Sequence, residues 1–129
     1  MDYATIRAGD LISSRRCHLD SDTVRSYVQA VNDRSPLASS GEIVPPMALA
    51  ALSVRGVVQD LRIPGGTLHL GQEVEFADPV AVGETISCTA EMTQNSVRGG
   101  QRVLVIGLIV EAGDDRIVMK GKSTIAVPA

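Results

Sequence analysis

The feature that most constrains this chain is an apolar segment from Val44 to Leu61. Pro45 and Pro46 open it, and proline suits the first turn of a helix because the N–H that it lacks would have no partner there. The run of Ala, Leu and Met that follows favours helix. Apolar residues cover almost every side of this predicted helix, so other parts of the chain have to wrap around it.

The rest of the chain has the pattern of antiparallel strands. Apolar and polar residues alternate over 68–76 and again over 86–92, which is typical of strands with one face on a core. Residues 103–110 form a nearly continuous apolar run, which predicts an inner strand covered on both faces. A last strand follows over 116–127. Short turns join these strands and favour an antiparallel meander, with a first strand over 9–19 added at one side.

One more helix is predicted before the apolar segment. Asp20 or Ser21 can cap it, and it ends near Asn32, after which turn-forming residues predict a loop over 33–43. At 129 residues and 44% hydrophobic content, the chain is predicted to be a single α+β domain over 1–129, an antiparallel sheet wrapped around a central apolar helix. The long apolar sheet edges predict a dimer.

Composition argues against several classes of protein. The net charge of −3, with both signs interspersed, and the 2% aromatic content argue against a nucleic-acid surface. Arg55 and Gln59 interrupt the longest apolar stretch, which argues against a membrane span. Cys17 and Cys88 lie far apart without metal-type spacing, and the sequence has no signal-peptide pattern. We therefore expect free thiols, no metal and a cytoplasmic location.

Two stretches of the sequence resemble the MaoC-like hydratase/dehydratase family, which has the hot-dog fold. Residues 22–36 are similar to the family's helix leading into an Asp-x-Asn-Pro-x-His hydratase motif. Residues 63–84 are similar to the strand and turn that follow the family's central helix. The resemblance covers roughly residues 8–127 and implies a single hot-dog domain.

The resemblance also implies an activity. It implies addition of water to a trans-2-enoyl thioester, or dehydration of a 3-hydroxyacyl thioester, carried by coenzyme A or an acyl carrier protein and with no cofactor. In the family an Asp–His pair activates the water, and a backbone N–H at the start of the buried helix polarises the thioester carbonyl. On this sequence it implies Asp33 as the acid–base carboxylate and the N–H of Met47 near the carbonyl.

The chain departs from the family pattern at positions that take part in catalysis. Ala38 stands at the position of the motif His, and Pro45-Pro46-Met47 replaces His-Gly-Met, so that Pro46 cannot donate an N–H. The segment between Ala38 and Val44 is also shorter than is usual in the family. The Pro-Pro helix start is similar to that of the non-catalytic halves of tandem or heterodimeric members, in which a partner carries the Asp–His pair.

Three further residues are candidates for the site. His69 is predicted on the polar face of its strand, opposite Leu68 and Leu70, and replaces the missing His if that face meets a partner or a substrate cleft. Ser53 and Gln72 are candidates for contacts with the thioester or pantetheine. Each candidate also has a commoner explanation. Asp33 suits a turn, His69 suits a surface or an interface, and Ser53 and Gln72 suit hydrogen bonds to backbone groups.

Three functions remain open from the sequence. The first is a hydratase or dehydratase in which Asp33 and His69 act as the catalytic pair. The second is a catalytically degenerate subunit, either the partner in a heterodimer with a related hot-dog chain or an acyl-thioester binding protein. The third is a thioesterase in which Asp33 or Glu42 activates water. A working hydratase should bring Asp33 and a second polar group to one apolar tunnel, within one protomer or across two.

Overall fold

The computed structural model describes residues 2–113 and 115–128, without the side chains of residues 37 and 39; residues 1, 114 and 129 of the predicted domain lie outside it. In the described part of the chain, a 3-10 turn at Tyr3–Thr5 precedes five strands and three helices. These are β1 (Leu11–His18), α1 (Ser21–Ala30), α2 (Pro36–Ser40), α3 (Pro46–Asp60), β2 (Leu68–Phe76), β3 (Thr85–Arg98), β4 (Gln101–Ala112) and β5 (Arg116–Pro128). In the described residues no helix is long and apolar enough to cross a membrane.

The strands form one antiparallel sheet in the order β1-β3-β4-β5-β2. This confirms the predicted α+β fold with an antiparallel sheet. The predicted meander holds only for β3, β4 and β5, and it is wrong for β2, which pairs with β5 instead of β3. The reason is that β1 pairs with the other side of β3, so the remaining free position in the sheet is beside β5. Strands β1 and β2 are therefore the two edges.

Helix α3 lies against the inner face of the sheet, as the apolar segment predicts. Ala48, Leu49 and Val57 of the helix are buried together with the inner-facing side chains of β4. Those side chains are Leu104, Ile106, Leu108 and Val110. The helix is nevertheless wrapped on one side only, because Met47 and Val58 are 57% and 49% exposed.

The outer face of β4 differs from the sequence prediction. Val103, Val105 and Ile109 point away from α3, and Ile109 is 36% exposed. The predicted burial on both faces is wrong because the helix layer covers the inner face alone. The apolar character of the outer residues therefore reflects strand propensity more than burial.

The predicted loop over 33–43 contains the short helix α2. The side chain of Ser35 caps it by accepting the N–H of Ala38 at 3.2 Å, and Pro36 occupies its first position. These are the usual signals of a helix start. Gly41 ends the helix in the left-handed conformation, with φ of 70°. The loop prediction was wrong here because the turn formers of 32–36 also serve as a helix cap.

Candidate functional site

Asp33, the predicted acid–base carboxylate, lies half-buried in the turn between α1 and α2. Its N–H donates to the carbonyl of Val28 at 3.0 Å, and its Oδ1 accepts the N–H of Ser35 at 3.0 Å. The hydrogen bonds from Ser35, chiefly the one from its backbone, hold the pKa of Asp33 below its ordinary value. The carboxylate is therefore ionised at neutral pH and is a weaker base than an unperturbed aspartate.

A cleft of about 500 Å³ lies between α1 and α2, and Asp33 is not among the described residues that line it. Ala38, which stands at the position of the family His, lines it together with Val24 and Val28. The other lining residues are Ser21, Arg25, Gln29, Gly41 and Val82. None of these described residues has a side chain that exchanges a proton near neutral pH. The cleft thus has room for a ligand but no acid–base group among its described lining residues.

Met47 lies in the first turn of α3, where the candidate carbonyl-binding N–H is expected. The N–H of Ala48 donates to the carbonyl of Pro45 at 2.9 Å. The N–H of Met47, in contrast, donates to no group among the residues that the structure describes. Because the first N–H groups of a helix have no partner within the helix, this donor is available to a ligand oxygen.

His69 faces the inner side of the sheet. The sequence pattern predicted the reverse, with Leu68 and Leu70 facing the core and His69 on the opposite, polar face. The register of β2 against β5 shifts between His69 and Gly71, and Leu70 is left without a partner. Such a β-bulge changes which side chains share a face. His69 consequently lies on the same side as its partner Ile125, whereas Leu68 and Leu70 are 51% and 55% exposed.

A second cleft, of about 350 Å³, lies between α3 and the start of β2. We call it the His69 cleft. Most of its lining is apolar, and the polar side chains in it are those of His69, Ser123 and Thr67. Its apolar lining comes from Val54, Val57, Val58, Ile63, Pro64 and Ile125, with Gly65 and Gly66 at one side. Nε2 of His69 lies 3.1 Å from Oγ of Ser123, and Ser123 is only 3% exposed.

The two substrate-binding candidates occupy different environments. The hydroxyl of Ser53 donates to the carbonyl of Ala50 within α3 at 2.7 Å, and Ser53 is buried. This is the backbone bond that the commoner explanation describes. Gln72 is exposed on β2, opposite Ser123, and its side chain takes part in no hydrogen bond with the described residues. Gln72 is therefore the more accessible of the two.

The structure does not bring Asp33 and His69 together within one chain. The two share no hydrogen bond and line no common cleft among the described residues. Asp33 precedes α2 and the start of α3, whereas His69 lies beside Val54, Val57 and Val58 in the later half of α3. The sequence analysis missed Ser123, because nothing in the pattern of β5 distinguishes it before the bulge at Leu70 is known.

The two cysteines are free, as predicted. Cys88 is buried, and this burial raises the pKa of its thiol to about 11, with the nearby Cys17 as a smaller cause. A thiol with so high a pKa is a poor nucleophile at neutral pH. In residues 2–113 and 115–128 no group of three or more His, Cys, Asp or Glu side chains is arranged to hold a metal ion.

One long helix lying on an antiparallel sheet of five strands defines a hot-dog protein. The chain belongs to the family described as "FAS1-like, dehydratase domain region", whose model matches residues 7–120. No curated protein sequence matches the chain.

Solved structures with the same fold include two hydratases and a dehydratase complex. The (R)-hydratase of A. caviae involved in PHA biosynthesis is 21% identical, with 96% of this chain and 98% of that chain covered and a TM-score of 0.80. R-hydratase PhaJ1 of Pseudomonas aeruginosa is 19% identical, with 98% of this chain and 84% of that chain covered and a TM-score of 0.80. A chain of the HadBC (3R-hydroxyacyl-ACP dehydratase) complex of Mycobacterium tuberculosis is 17% identical, with 92% of this chain and 96% of that chain covered and a TM-score of 0.75. At these identities the likeness shows the fold.

Proposed function

We propose that the chain is one subunit of a hydratase/dehydratase that acts on an enoyl or 3-hydroxyacyl thioester, and that a second hot-dog subunit supplies the acid–base histidine. The observation that carries this proposal is the cleft between α1 and α2, at the position of the motif histidine. Ala38 lines it, and no other described side chain in its lining can replace the missing histidine. A dehydration needs one group to take a proton from carbon and one to protonate the leaving hydroxyl.

Asp33 and Met47 have supporting roles in this proposal. Asp33 has a lowered pKa and is therefore better suited to accepting hydrogen bonds from water or substrate than to cycling a proton alone. The unpartnered N–H of Met47 would donate to the thioester carbonyl, with help from the dipole of α3. The thioester would be carried by coenzyme A or an acyl carrier protein.

The edge strand β2 is the surface proposed for the second subunit. Its side chains Leu68, Leu70 and Phe76 are 51%, 55% and 39% exposed, and its outer backbone edge has no strand partner among the described residues. Exposed apolar edges of this kind associate with another strand. The HadBC dehydratase is a complex of two chains, which supports a heterodimer for this one.

A homodimeric hydratase is the rival arrangement, and the position of His69 favours it. His69 is exposed on the edge strand proposed for the interface, so it would be the second acid–base group of a site formed across two copies. The thioesterase alternative draws no support from the cleft geometry, because neither Glu42 nor Asp33 lines either cleft among the described residues.

The experiment measures binding and hydration of crotonyl-coenzyme A by the purified chain. We expect calorimetry to detect binding, and the absorbance of the conjugated enoyl group to stay constant. Hydration by the chain alone that is lost in both Asp33→Asn and His69→Ala would contradict the heterodimer proposal in favour of the homodimer. Absence of binding would contradict both arrangements. Thr124→Ala, on the outer face of β5, is the control for unspecific effects of substitution.

A further inference from the structure

We propose that Ser123 and His69 form a nucleophile–base pair that cleaves acyl esters or thioesters through an acyl-serine intermediate. Oγ of Ser123 and Nε2 of His69 lie 3.1 Å apart, within hydrogen-bond reach. This activity is separate from hydration, and it uses none of the groups around Asp33.

The local fold holds the two side chains together. Ser123 is on β5 opposite Gln72, and His69 is on β2 opposite Ile125, so a regular strand would place positions 69 and 72 on opposite faces. The bulge at Leu70 places both on the inner face and so directs His69 towards Ser123. Bulges of this kind are common next to active sites, where they redirect a side chain.

The environment of the pair suits an acyl group. Ser123 is 3% exposed and lies in the His69 cleft, which is lined on the helix side by Val54, Val57 and Val58. A hydroxyl in such a cleft is reached by an apolar ligand that displaces water, not by bulk solvent. His69 is exposed, so its ring can exchange protons with water at the mouth of the cleft.

The chemistry follows from the two atoms in contact. In the tautomer with its proton on Nδ1, His69 accepts the proton of the Ser123 hydroxyl at Nε2 while Oγ forms a bond to the acyl carbonyl carbon. The bond from that carbon to the leaving oxygen or sulfur breaks, and His69 returns the proton to the leaving group. Water then attacks the acyl-serine with His69 as base, which releases the carboxylic acid and restores the Ser123 hydroxyl.

In this proposal, two backbone N–H groups of the cleft lining bind the developing oxyanion. Gly65 and Gly66 line it, and their N–H groups donate to no group among the described residues. Gly66 has φ of 86°, a conformation that glycine adopts readily and that turns successive N–H groups towards one side. Side chains added at these two positions would meet no atom within 4 Å, so packing does not require glycine there.

A purely structural pair is the alternative. A buried serine hydroxyl needs a hydrogen-bond partner, and His69 supplies one. The two explanations differ in one observable way, because only a nucleophile becomes covalently acylated.

The test treats the purified full chain with p-nitrophenyl butyrate and, separately, with a fluorophosphonate probe. We expect an initial burst of p-nitrophenolate and a single adduct that peptide mass spectrometry maps to Ser123. His69→Ala should slow both reactions by roughly 10²–10⁴-fold, which is the usual contribution of a general base. Ser123→Ala should abolish them, and Thr124→Ala on the same strand should react like the unmodified chain.

Labelling of the unmodified chain keeps the test independent of whether a variant folds. No adduct on Ser123, or an ester-cleavage rate that Ser123→Ala retains while its circular dichroism is unchanged, would overturn the proposal. Because the readout needs neither a second subunit nor an enoyl substrate, its failure leaves the hydratase proposal standing, and the reverse also holds.

Discussion

The two edges of the sheet are built differently around the same helix. At the β1 edge, Asp60 at the end of α3 accepts hydrogen bonds from Ser13 Oγ at 2.6 Å and from Arg15 Nη2 at 2.6 Å. Gly56 approaches so closely that a Cβ would lie 2.7 Å from the Ser13 hydroxyl. At the β2 edge, the His69 cleft separates part of α3 from the sheet. A smaller cleft of about 220 Å³, which arginine side chains line in part, lies between β1 and α3, whereas the cleft at the β2 edge is larger and mostly apolar.

This difference assigns stability to one edge and function to the other. Both edge strands have an open outer backbone edge among the described residues, but β1 exposes one large apolar side chain, Leu11, whereas β2 exposes three. The β2 edge exposes apolar side chains and the ring of His69, and natural proteins usually cover such an edge or use it. The predictions below change one edge at a time, in order of decreasing effect.

Gly121→Val should give the largest loss of stability, at the β2 edge. A Cβ at Gly121 would lie 2.7 Å from the carbonyl oxygen of Glu73, a backbone atom of β2 that cannot rotate away. We expect a loss of about 1–3 kcal/mol in the free energy of unfolding, measured by urea denaturation. Gly71→Ala is the matched control on β2, since a side chain there meets no atom within 4 Å. Equal losses in both variants would argue against the close approach as the cause.

Association should depend on β2 and not on β1. We expect the double variant Leu68→Lys, Leu70→Lys to weaken self-association or binding of a second subunit by about tenfold or more, because desolvating a lysine at an interface core is unfavourable. Sedimentation velocity over a range of concentrations measures this. Leu11→Lys on β1 is the control, since Leu11 is 66% exposed and similarly apolar. A larger effect from Leu11→Lys would reverse the assignment of the two edges.

Asp60 should make the β1 edge sensitive to acid. Hydrogen bonds from Arg15 and then Ser13 lower the pKa of Asp60 from 3.8 to about 2, so its contribution to stability is fully present above pH 4 and is lost as pH falls through about 2. The difference in unfolding free energy between the unmodified chain and Asp60→Asn should therefore shrink between pH 5 and pH 2. We expect a small effect, because the ion pair is partly exposed to solvent.

Asp22→Asn is the control for the acid titration, since Asp22 is highly exposed beside Arg25. A stability difference for Asp60→Asn that stays constant with pH would show that its carboxylate is not the titrating group.

Local sequence patterns predicted much of the fold but little of the site. The double proline and the apolar run predicted α3, and the alternation of apolar and polar residues predicted the inner face of β3. Each of these patterns is local, because the residues that form it are close together in the sequence. The pairing of β2 with β5 depends on where β1 lies, which is a non-local constraint. The bulge at Leu70 reverses the faces of the flanking residues, so alternation could not predict the contact between His69 and Ser123.

The resemblance to MaoC-like enzymes predicted the fold and the position of Asp33 at the end of α1. It did not predict that Ser35 would both bond Asp33 and cap α2, because one Ser-Pro pair is compatible with a turn and with a helix start. The missing histidine at Ala38 was readable from the sequence. Its consequence depended on the structure, which shows the cleft that Ala38 lines.

The most direct test of the central claim is a gain of hydratase activity in Ala38→His. We predict that this variant, purified alone, hydrates crotonyl-coenzyme A, that adding Asp33→Asn removes the activity, and that Gln29→His in the same cleft has none. Such a result would show that the chain lacks one acid–base group and otherwise retains the site. The account would be contradicted by an unmodified chain that hydrates the substrate alone, or by a folded Ala38→His variant that binds it without turnover.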